Sequence, residues 1–211
     1  MLPYGNQKFY IVTLIILFMK KKEMFVNTIN MNEAYNKILQ WFFSYSLSQI
    51  SLTDLSSNLK ISKRTASIIV NDLVKKEFLI KEEVGRVWRI HCNQKHFYNF
   101  TKKISFNLSM IYSLLYESNL IDEIYRVTGN FKAVVLFGSY RKGDDTDKSD
   151  IDLAVEVAGN EDIKIIDLVT LKKFGYRKNV TVNLHIFSRN KIDLNLFSNI
   201  TNGIVLEGFL E

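Results

Sequence analysis

AVVLFGSYRKGDDTDKSDIDLAV, residues 133–155, holds two apolar strands joined by a polar loop. The first strand runs into Gly138-Ser139, and the loop returns at Asp150 into the second strand. Because successive side chains on a strand point to opposite faces, Asp150 and Asp152 are predicted to point to the same face. The stretch therefore predicts a glycine turn and a carboxylate pair on successive strands.

The residue types of this stretch suit a site for phosphate and metal. Two adjacent carboxylates repel each other unless a cation lies between them, and hard oxygen ligands at this spacing suit Mg²⁺. Gly138 lets the backbone approach a phosphate closely, and Ser139 adds a backbone N–H and a hydroxyl. Metal ions that bridge a triphosphate are the means of nucleotidyl transfer. The structural alternative is an ordinary hairpin with a solvated acidic loop.

This motif resembles that of the nucleotidyltransferase superfamily, which includes DNA polymerase beta, kanamycin nucleotidyltransferase and the minimal nucleotidyltransferases of prokaryotic toxin–antitoxin pairs. The family pattern is Gly-Ser, a short loop and Asp-x-Asp on the next strand. The resemblance implies that Gly138 and Ser139 hold a triphosphate and that Asp150 and Asp152 bind Mg²⁺. Lys142 stands where minimal members often have arginine, and it would help to neutralise phosphate.

The resemblance also implies a third carboxylate on a later strand, where it completes the catalytic metal site and can take the proton of the attacking hydroxyl. The sequence predicts a helix over 161–174 and then a strand over 180–187, with Asn183 and His185 on one face. The family's aspartate falls at Asn183, and an amide cannot supply the charge. His185 is one candidate substitute, and Glu156, predicted on the same face as the carboxylate pair, is the other.

The first half of the chain carries most of the net charge of +6, which favours a polyanionic partner. Helical periodicity predicts three helices, and the residues around Gly85-Arg86 predict the tip of a β-hairpin. This order over residues 31–92 resembles the winged helix-turn-helix domains of bacterial and archaeal transcription regulators. Glu77 stands near the position where many of these domains have glycine. The helices are expected over residues 31–43, 52–59 and 63–79.

The third predicted helix, with Ser62 as its N-cap, has an apolar stripe that leaves polar residues on its outer face. Such residues near a helix N-terminus can meet phosphates and base edges in the major groove of double-stranded DNA. The alternative is a module for protein contact whose basic residues are only solvated. The expected DNA-binding residues are Lys63, Arg64, Ser67, Asn71 and, at the hairpin tip, Arg86.

A linker over 93–119 joins the two halves. Apolar residues at spacings of three or four predict one long amphipathic helix over 96–118. Aromatic residues at that period are typical of a core or a dimer interface, and a helix in this place often pairs with its twin. We therefore expect a homodimer.

The segment 1–30 contains an apolar run, Phe9–Met19, followed by three lysines. The run is too short to span a membrane, and its charge distribution does not fit a secretory signal. Three interpretations remain: a true start at Met19, Met24 or Met31, a packed or oligomerising segment, or an interfacial anchor. We favour the later start. A single cysteine, Cys92, excludes a disulfide framework and a cysteine-based zinc site, and it favours the cytoplasm.

The predicted protein is thus an α/β (α+β) protein with a winged helix-turn-helix at 31–92 and a nucleotidyltransferase-fold mixed sheet with helices at 120–211. We expect Mg²⁺-dependent transfer of a nucleoside monophosphate, AMP from ATP, to a hydroxyl of a protein or small molecule. One alternative is a DNA-binding transcription regulator whose second domain only binds nucleotide. Another is an antitoxin-like partner. Asn183 favours the regulator, whereas the intact Asp150-x-Asp152 pair favours the enzyme.

Overall fold

A computed structural model of the chain describes residues 31–210. The apolar run at residues 9–19 and the alternative starts Met19 and Met24 lie outside the described residues. Among the residues that are described, no helix is long and apolar enough to cross a membrane.

Three helices and a hairpin form the first part of the described chain. Ser51 and Ser62 cap the second and third helices, because each side chain accepts a hydrogen bond from the backbone N–H three residues further on. The predicted cap at Ser62 is therefore confirmed. The elements are α1 over residues 31–44, α2 Leu52–Leu59, α3 Lys63–Lys75, β1 Leu79–Val84 and β2 Val87–Cys92.

Helix α3 ends at Lys75, four residues before the predicted end. Glu77 takes a left-handed backbone conformation with φ of 62°, and its N–H donates to the carbonyl of Val74. The N–H of Phe78 then donates to the carbonyl of Leu73, which completes a Schellman motif. The predicted helix is too long because residues 78 and 79 turn away from it, bury their side chains and lead into β1.

The apolar stripe of α3 packs into a core with α1 and α2. Ala66, Ile69, Val70 and Leu73 are all buried in this cluster, as their spacing predicts. Strands β1 and β2 pair antiparallel and close the cluster from the other side. The helices and the hairpin lie near their predicted positions. Their action as a winged helix-turn-helix stays a prediction.

The linker forms three short pieces and not the predicted single helix. They are a 3₁₀ turn at Phe97–Phe100, α4 at Lys102–Tyr112 and a π-helical turn at Ser113–Glu117. The predicted helix breaks because Thr101 has a non-helical backbone and the amide of Asn99 donates to the carbonyls of residues 93, 94 and 96. Phe97 and Phe100 consequently stay exposed, at 61% and 54%. The dimer stays a prediction, which size-exclusion chromatography with light scattering tests.

The second part of the chain is a mixed sheet of five strands in the order β5-β6-β4-β3-β7. Strands β4 and β6 are parallel, and the other pairs are antiparallel. This mixed α/β architecture confirms the predicted fold class for this half. The elements are α5 Leu120–Thr128, β3 Phe131–Phe137, α6 Gly138–Lys142, β4 Ile151–Val157, β5 Lys164–Leu171, β6 Val180–Phe187, α7 Leu194–Thr201 and β7 Ile204–Gly208.

The helix predicted over 161–174 is wrong, because this segment contains strand β5. Its sequence KIIDLVTL is rich in β-branched residues, and it pairs antiparallel with β6. Ile166 and Leu168 pack on the core of the sheet. Apolar residues at spacings of two and three fit both periods, and the strand partner decides between them.

The two faces of the sheet bury different cores. One core lies between the sheet and the segment of α4 and α5, and it includes Ile111, Ile124 and Leu153. The other lies against α7 and includes Ala154 and Ile200. Side chains alternate along β4, so Asp152 lies on the same face as Ala154 and therefore on the α7 side.

Candidate functional site

The Gly138-Ser139 turn at the end of β3 brings its backbone against the carboxylate of Asp152 on the neighbouring strand β4. Gly138 follows β3 with φ of +72°, a conformation that favours glycine. A Cβ placed on Gly138 would lie 2.6 Å from Oδ2 of Asp152. Phe137 pairs with Asp152 across β3 and β4, which fixes this approach. Residue 138 can therefore approach Asp152 this closely only because it has no side chain.

The two predicted carboxylates lie at the start of β4. Asp152 is half-buried on the strand, whereas Asp150 precedes the strand and is exposed. Ser139 lies half-buried in α6, and Lys142 lies exposed at the end of the same helix. The structure thus gathers the sequence-predicted residues on the turn, on α6 and at the neighbouring strand start.

Asn183 lies beside Asp152, as the family resemblance implies. The two residues are direct partners across the parallel strands β4 and β6. The Nδ2 atom of Asn183 donates to Oδ1 of Asp152 over 3.4 Å. The amide therefore orients the carboxylate without adding charge to the site.

His185 also faces Asp152. Its Nε2 atom lies 3.5 Å from Oδ1 of Asp152, and its ring packs edge-on against Phe137 with 4.9 Å between ring centroids. The Nδ1 atom is buried and has no hydrogen-bond partner among the described residues. Of the two candidate substitutes for a third carboxylate, His185 is thus the one that contacts Asp152.

Glu156, the other candidate substitute, is bound elsewhere. Its carboxylate is 1% exposed and takes two hydrogen bonds from Arg189, at 3.0 and 2.9 Å. A bidentate guanidinium partner satisfies both carboxylate oxygens. The idea that Glu156 takes part in the site is therefore wrong. The sequence places it on the correct face but says nothing of its partner.

The acidic loop between α6 and β4 is partly buried, contrary to the alternative of a solvated loop. Asp145 is 3% exposed, and its Oδ1 lies 3.3 Å from Nζ of Lys103 and accepts from Nδ2 of Asn107 at 2.7 Å. Burial raises the pKa of Asp145 and lowers the pKa of Lys103, and the charge of each residue opposes the shift of the other. Sequence reasoning missed this pair, although Lys103 and Asn107 have i,i+4 spacing on the linker.

Arg177, which precedes β6, is a second buried cation that sequence reasoning missed. Its guanidinium donates to the hydroxyl of Tyr140 and to the backbone carbonyls of Asp147 and Ser149. The Ser149 carbonyl belongs to the peptide bond that leads into Asp150. No local sequence signal marks Arg177, because all three partners lie about 30 or more residues away in the chain.

The oxygens gathered at the strand ends fit a hard divalent cation. Among the described residues, no three acidic, histidine or cysteine side chains come together to hold a metal by themselves. Two carboxylates and an amide oxygen are nevertheless the donor types that Mg²⁺ accepts, because this ion often takes one or two protein carboxylates together with water and substrate phosphates. The donor set fits Mg²⁺ that arrives with a nucleotide better than a permanent metal centre.

The predicted DNA-binding residues lie around a groove between the start of α3 and the hairpin. Lys63, Arg64, Ser67 and Arg86 line this groove together with Trp88. Asn71 lies further along α3, where its side-chain oxygen accepts a hydrogen bond from Lys81. Four of the five predicted residues thus share one surface, and Asn71 lies beside strand β1.

Comparison with known proteins concerns the second half of the chain. The family described as "Polymerase beta, Nucleotidyltransferase" matches residues 119–207. Over 85 residues the chain is 36% identical to a protein of Methanocaldococcus jannaschii named "Putative protein adenylyltransferase". The aligned region is 39% of this chain and 81% of that relative. No solved structure matches the chain.

The family match spans the whole sheet up to Glu207, so it contains the Gly-Ser turn and the carboxylate pair. Residues 31–92 lie outside it. Three observations indicate the same family: the fold of the second half, the contact of Gly138 with Asp152, and the relative, of which the alignment covers 81%. The chain belongs to the polymerase beta-type nucleotidyltransferase family.

Proposed function

We propose that the chain transfers AMP from Mg²⁺-bound ATP to a hydroxyl of a protein or small molecule. The approach of the Gly138 backbone to Asp152 carries this proposal, because it places a glycine turn that can bind phosphate next to a carboxylate that can hold the phosphate's metal ion. The name of the archaeal relative supports AMP and a protein acceptor. The acceptor hydroxyl oxygen forms a bond to the α-phosphorus, the bond to the bridging oxygen breaks, and pyrophosphate leaves.

Each site residue has a part in this reaction. Gly138 and Ser139 offer backbone N–H groups and a hydroxyl to the triphosphate, and Lys142 places positive charge at the end of α6. Asp150 and Asp152 bind the metal ions, which when bound offset the charge of the phosphates. Asn183 holds the Asp152 carboxylate in its orientation. Since this amide cannot take a proton, the acceptor's proton passes to His185, whose Nε2 atom lies 3.5 Å from Oδ1 of Asp152, or to water.

Transfer is tested with ATP labelled at the α-phosphate. We expect the full-length chain to release pyrophosphate and to label an acceptor, and Asp152→Asn to lose both. Asp162→Asn is the matched control, because Asp162 is exposed beyond the far end of β4, where it pairs with Lys191. Equal label with Asp152→Asn and wild type would refute the assignment. Nucleotide binding without transfer to any acceptor would instead favour the regulator that only senses nucleotide, or an antitoxin-like partner.

A second proposal concerns the first half, which we infer to be a winged helix-turn-helix that binds double-stranded DNA. The exposed cations Lys63, Arg64 and Arg86 around the groove at α3 support this function. Such contacts to phosphates make affinity fall with added salt.

The DNA proposal is tested by fluorescence anisotropy with labelled duplex DNA at several salt concentrations. We expect the double variant Lys63→Ala/Arg64→Ala to weaken binding and to lower the salt slope by about two, since each phosphate contact contributes about one. Lys75→Ala is the control, because Lys75 is exposed at the opposite end of the same helix. Equal loss with the control, or a salt-independent affinity, would contradict the proposal.

A further inference from the structure

We propose that Arg177 is a positioning residue that fixes the two halves of the nucleotide site relative to each other. The inference rests on the proposed function, since it assigns Arg177 to the same site. The first half of the site is the Gly138-Ser139 turn, and the second is the start of β4 with Asp150 and Asp152. Arg177 contacts neither the carboxylates nor the turn directly, and it acts through the backbone and through Tyr140.

The guanidinium joins the two halves through three acceptors. One amino group donates to the hydroxyl of Tyr140, which lies in α6 two residues beyond Gly138. The other amino group donates to the carbonyls of Asp147 and Ser149. Because the Ser149 carbonyl and the Asp150 nitrogen form one peptide group, Arg177 holds the plane from which Asp150 projects.

Arginine suits this place because its planar fork presents donors in several fixed directions. A lysine ammonium is a compact charge on a flexible stem, and it cannot span acceptors on two separate segments in the same way. Arg177 is 5% exposed, and its Nε atom is buried without a hydrogen-bond partner in the described range 31–210. An unpaired buried donor is unfavourable, so the three hydrogen bonds of the amino groups offset the cost that the Nε atom adds.

The backbone of Arg177 is itself held from both domains. Its N–H and carbonyl exchange hydrogen bonds with Phe174, each at 3.0 Å, and Phe174 is buried in the core of the sheet. The preceding residue, Tyr176, packs on the core of the first half, and its carbonyl accepts a hydrogen bond from the hydroxyl of Tyr45 at 2.6 Å. The backbone that carries Arg177, in the turn between β5 and β6, is therefore held in place by contacts with both halves of the chain.

The buried carboxylate of Asp145 interacts electrostatically with Arg177 as well as with its direct partner Lys103. The guanidinium acts to lower the pKa of Asp145, although burial dominates and raises it. The loop that carries Asp145 thus lies between two buried cations, with Lys103 on the linker side and Arg177 on the sheet side. Loss of Arg177 is expected to free the segment next to Asp150, while Lys103 still holds Asp145.

The test uses the full-length chain with Arg177→Met, Arg177→Lys and Tyr140→Phe, and with Arg189→Met as the control. Arg189 also donates to a buried carboxylate, that of Glu156, but it lies away from the loop. The two readouts are Mg-ATP affinity by calorimetry and amide hydrogen exchange by mass spectrometry. Thermal unfolding of every variant separates local effects from general loss of stability.

We expect Arg177→Met to bind Mg-ATP about tenfold more weakly or worse, since charged hydrogen bonds at a buried site are lost. Amide exchange is expected to rise in residues 143–151, and Arg177→Lys is expected to rescue only part of either effect. Tyr140→Phe, which keeps the ring, is expected to raise exchange in residues 138–143. Arg189→Met is expected to change neither readout.

Two results would overturn the positioning role. One is a folded Arg177→Met whose exchange in residues 143–151 matches wild type, and the other is Arg189→Met with the same changes as Arg177→Met. Failure of wild type to bind Mg-ATP would instead contradict the proposed function. It would leave the role of Arg177 testable, because the exchange measurement needs no nucleotide. If Arg177→Met does not fold, Tyr140→Phe decides: unchanged exchange in α6 would refute the link between the two halves.

Discussion

Replacement of Lys103 by methionine tests the buried ion pair under the acidic loop. Lys103 is 1% exposed, and its Nζ atom contacts Oδ1 of Asp145 and donates to the Asp145 carbonyl. Methionine has a similar length and no charge, so among the described residues the variant leaves the buried carboxylate with Asn107 as its hydrogen-bond donor. Loss of one partner from a buried pair lowers the free energy of unfolding by about 3–5 kcal/mol. We expect about 3 kcal/mol, since Asn107 still donates.

The loss is also expected to depend on pH. Burial raises the pKa of Asp145, and without the Lys103 charge that pKa rises further. At pH values below about 4, its unfolded-state pKa, such a carboxyl group is protonated in both the folded and the unfolded state and does not lower the free energy of unfolding. Its destabilising effect then grows as pH rises towards the folded-state pKa. The stability deficit of Lys103→Met is therefore expected to be smallest near about pH 4 and largest at neutral pH.

Urea unfolding followed by circular dichroism measures this deficit for Lys103→Met, Asp145→Asn and the double variant. The double variant is expected to lose less than the sum of the single losses, by about 2 kcal/mol, because the two residues are in contact. Lys102→Met is the control, since Lys102 is exposed and lies over the ring of Tyr98. A Lys103→Met deficit below about 1 kcal/mol at neutral pH, or one that does not change with pH, would refute the reasoning.

Three further changes have defined outcomes. Gly138→Ala is expected to abolish Mg-ATP binding in calorimetry while the protein stays folded, because the new Cβ would lie 2.6 Å from Oδ2 of Asp152; unchanged affinity would argue against the phosphate role. Glu77→Gly is expected to raise the free energy of urea unfolding by about 1 kcal/mol, since it removes the strain of a left-handed residue; a less stable variant would contradict the C-cap analysis. Burial raises the pKa of the Cys92 thiol to about 11, so iodoacetamide is expected to alkylate it far more slowly in the folded chain than in urea, and equal rates would show that the thiol is accessible.

The sequence predicted the parts of the site that depend on local order. The Gly-Ser turn, the strand that carries Asp152 and the strand face that carries Asn183 follow from period and from single residue types, whereas the place of Asn183 beside Asp152 is implied by the family resemblance. The cap at Ser62 and the stripe of α3 follow in the same way. Each of these features is encoded within a few consecutive residues, so no knowledge of distant partners is needed.

The features that sequence reasoning missed depend on distant partners. Segment 164–171 is a strand because β6 offers it an edge, whereas the spacing of its apolar residues alone fits either period. Asp145, Lys103 and Arg177 are polar residues that a sequence assigns to solvent, and they are buried only because each meets a partner from another segment. Strand alternation places Glu156 on the correct face, but its carboxylate pairs with Arg189, 33 residues away in the chain, instead of facing the site.

Calorimetric titration of Mg-ATP into the full-length chain tests most directly whether the turn at Gly138 and the carboxylate pair form a nucleotide site. The account predicts saturable binding that needs Mg²⁺, is lost in Asp152→Asn and persists in Asp162→Asn. Absence of Mg-ATP binding to wild type, or equal binding by Asp152→Asn, would contradict it.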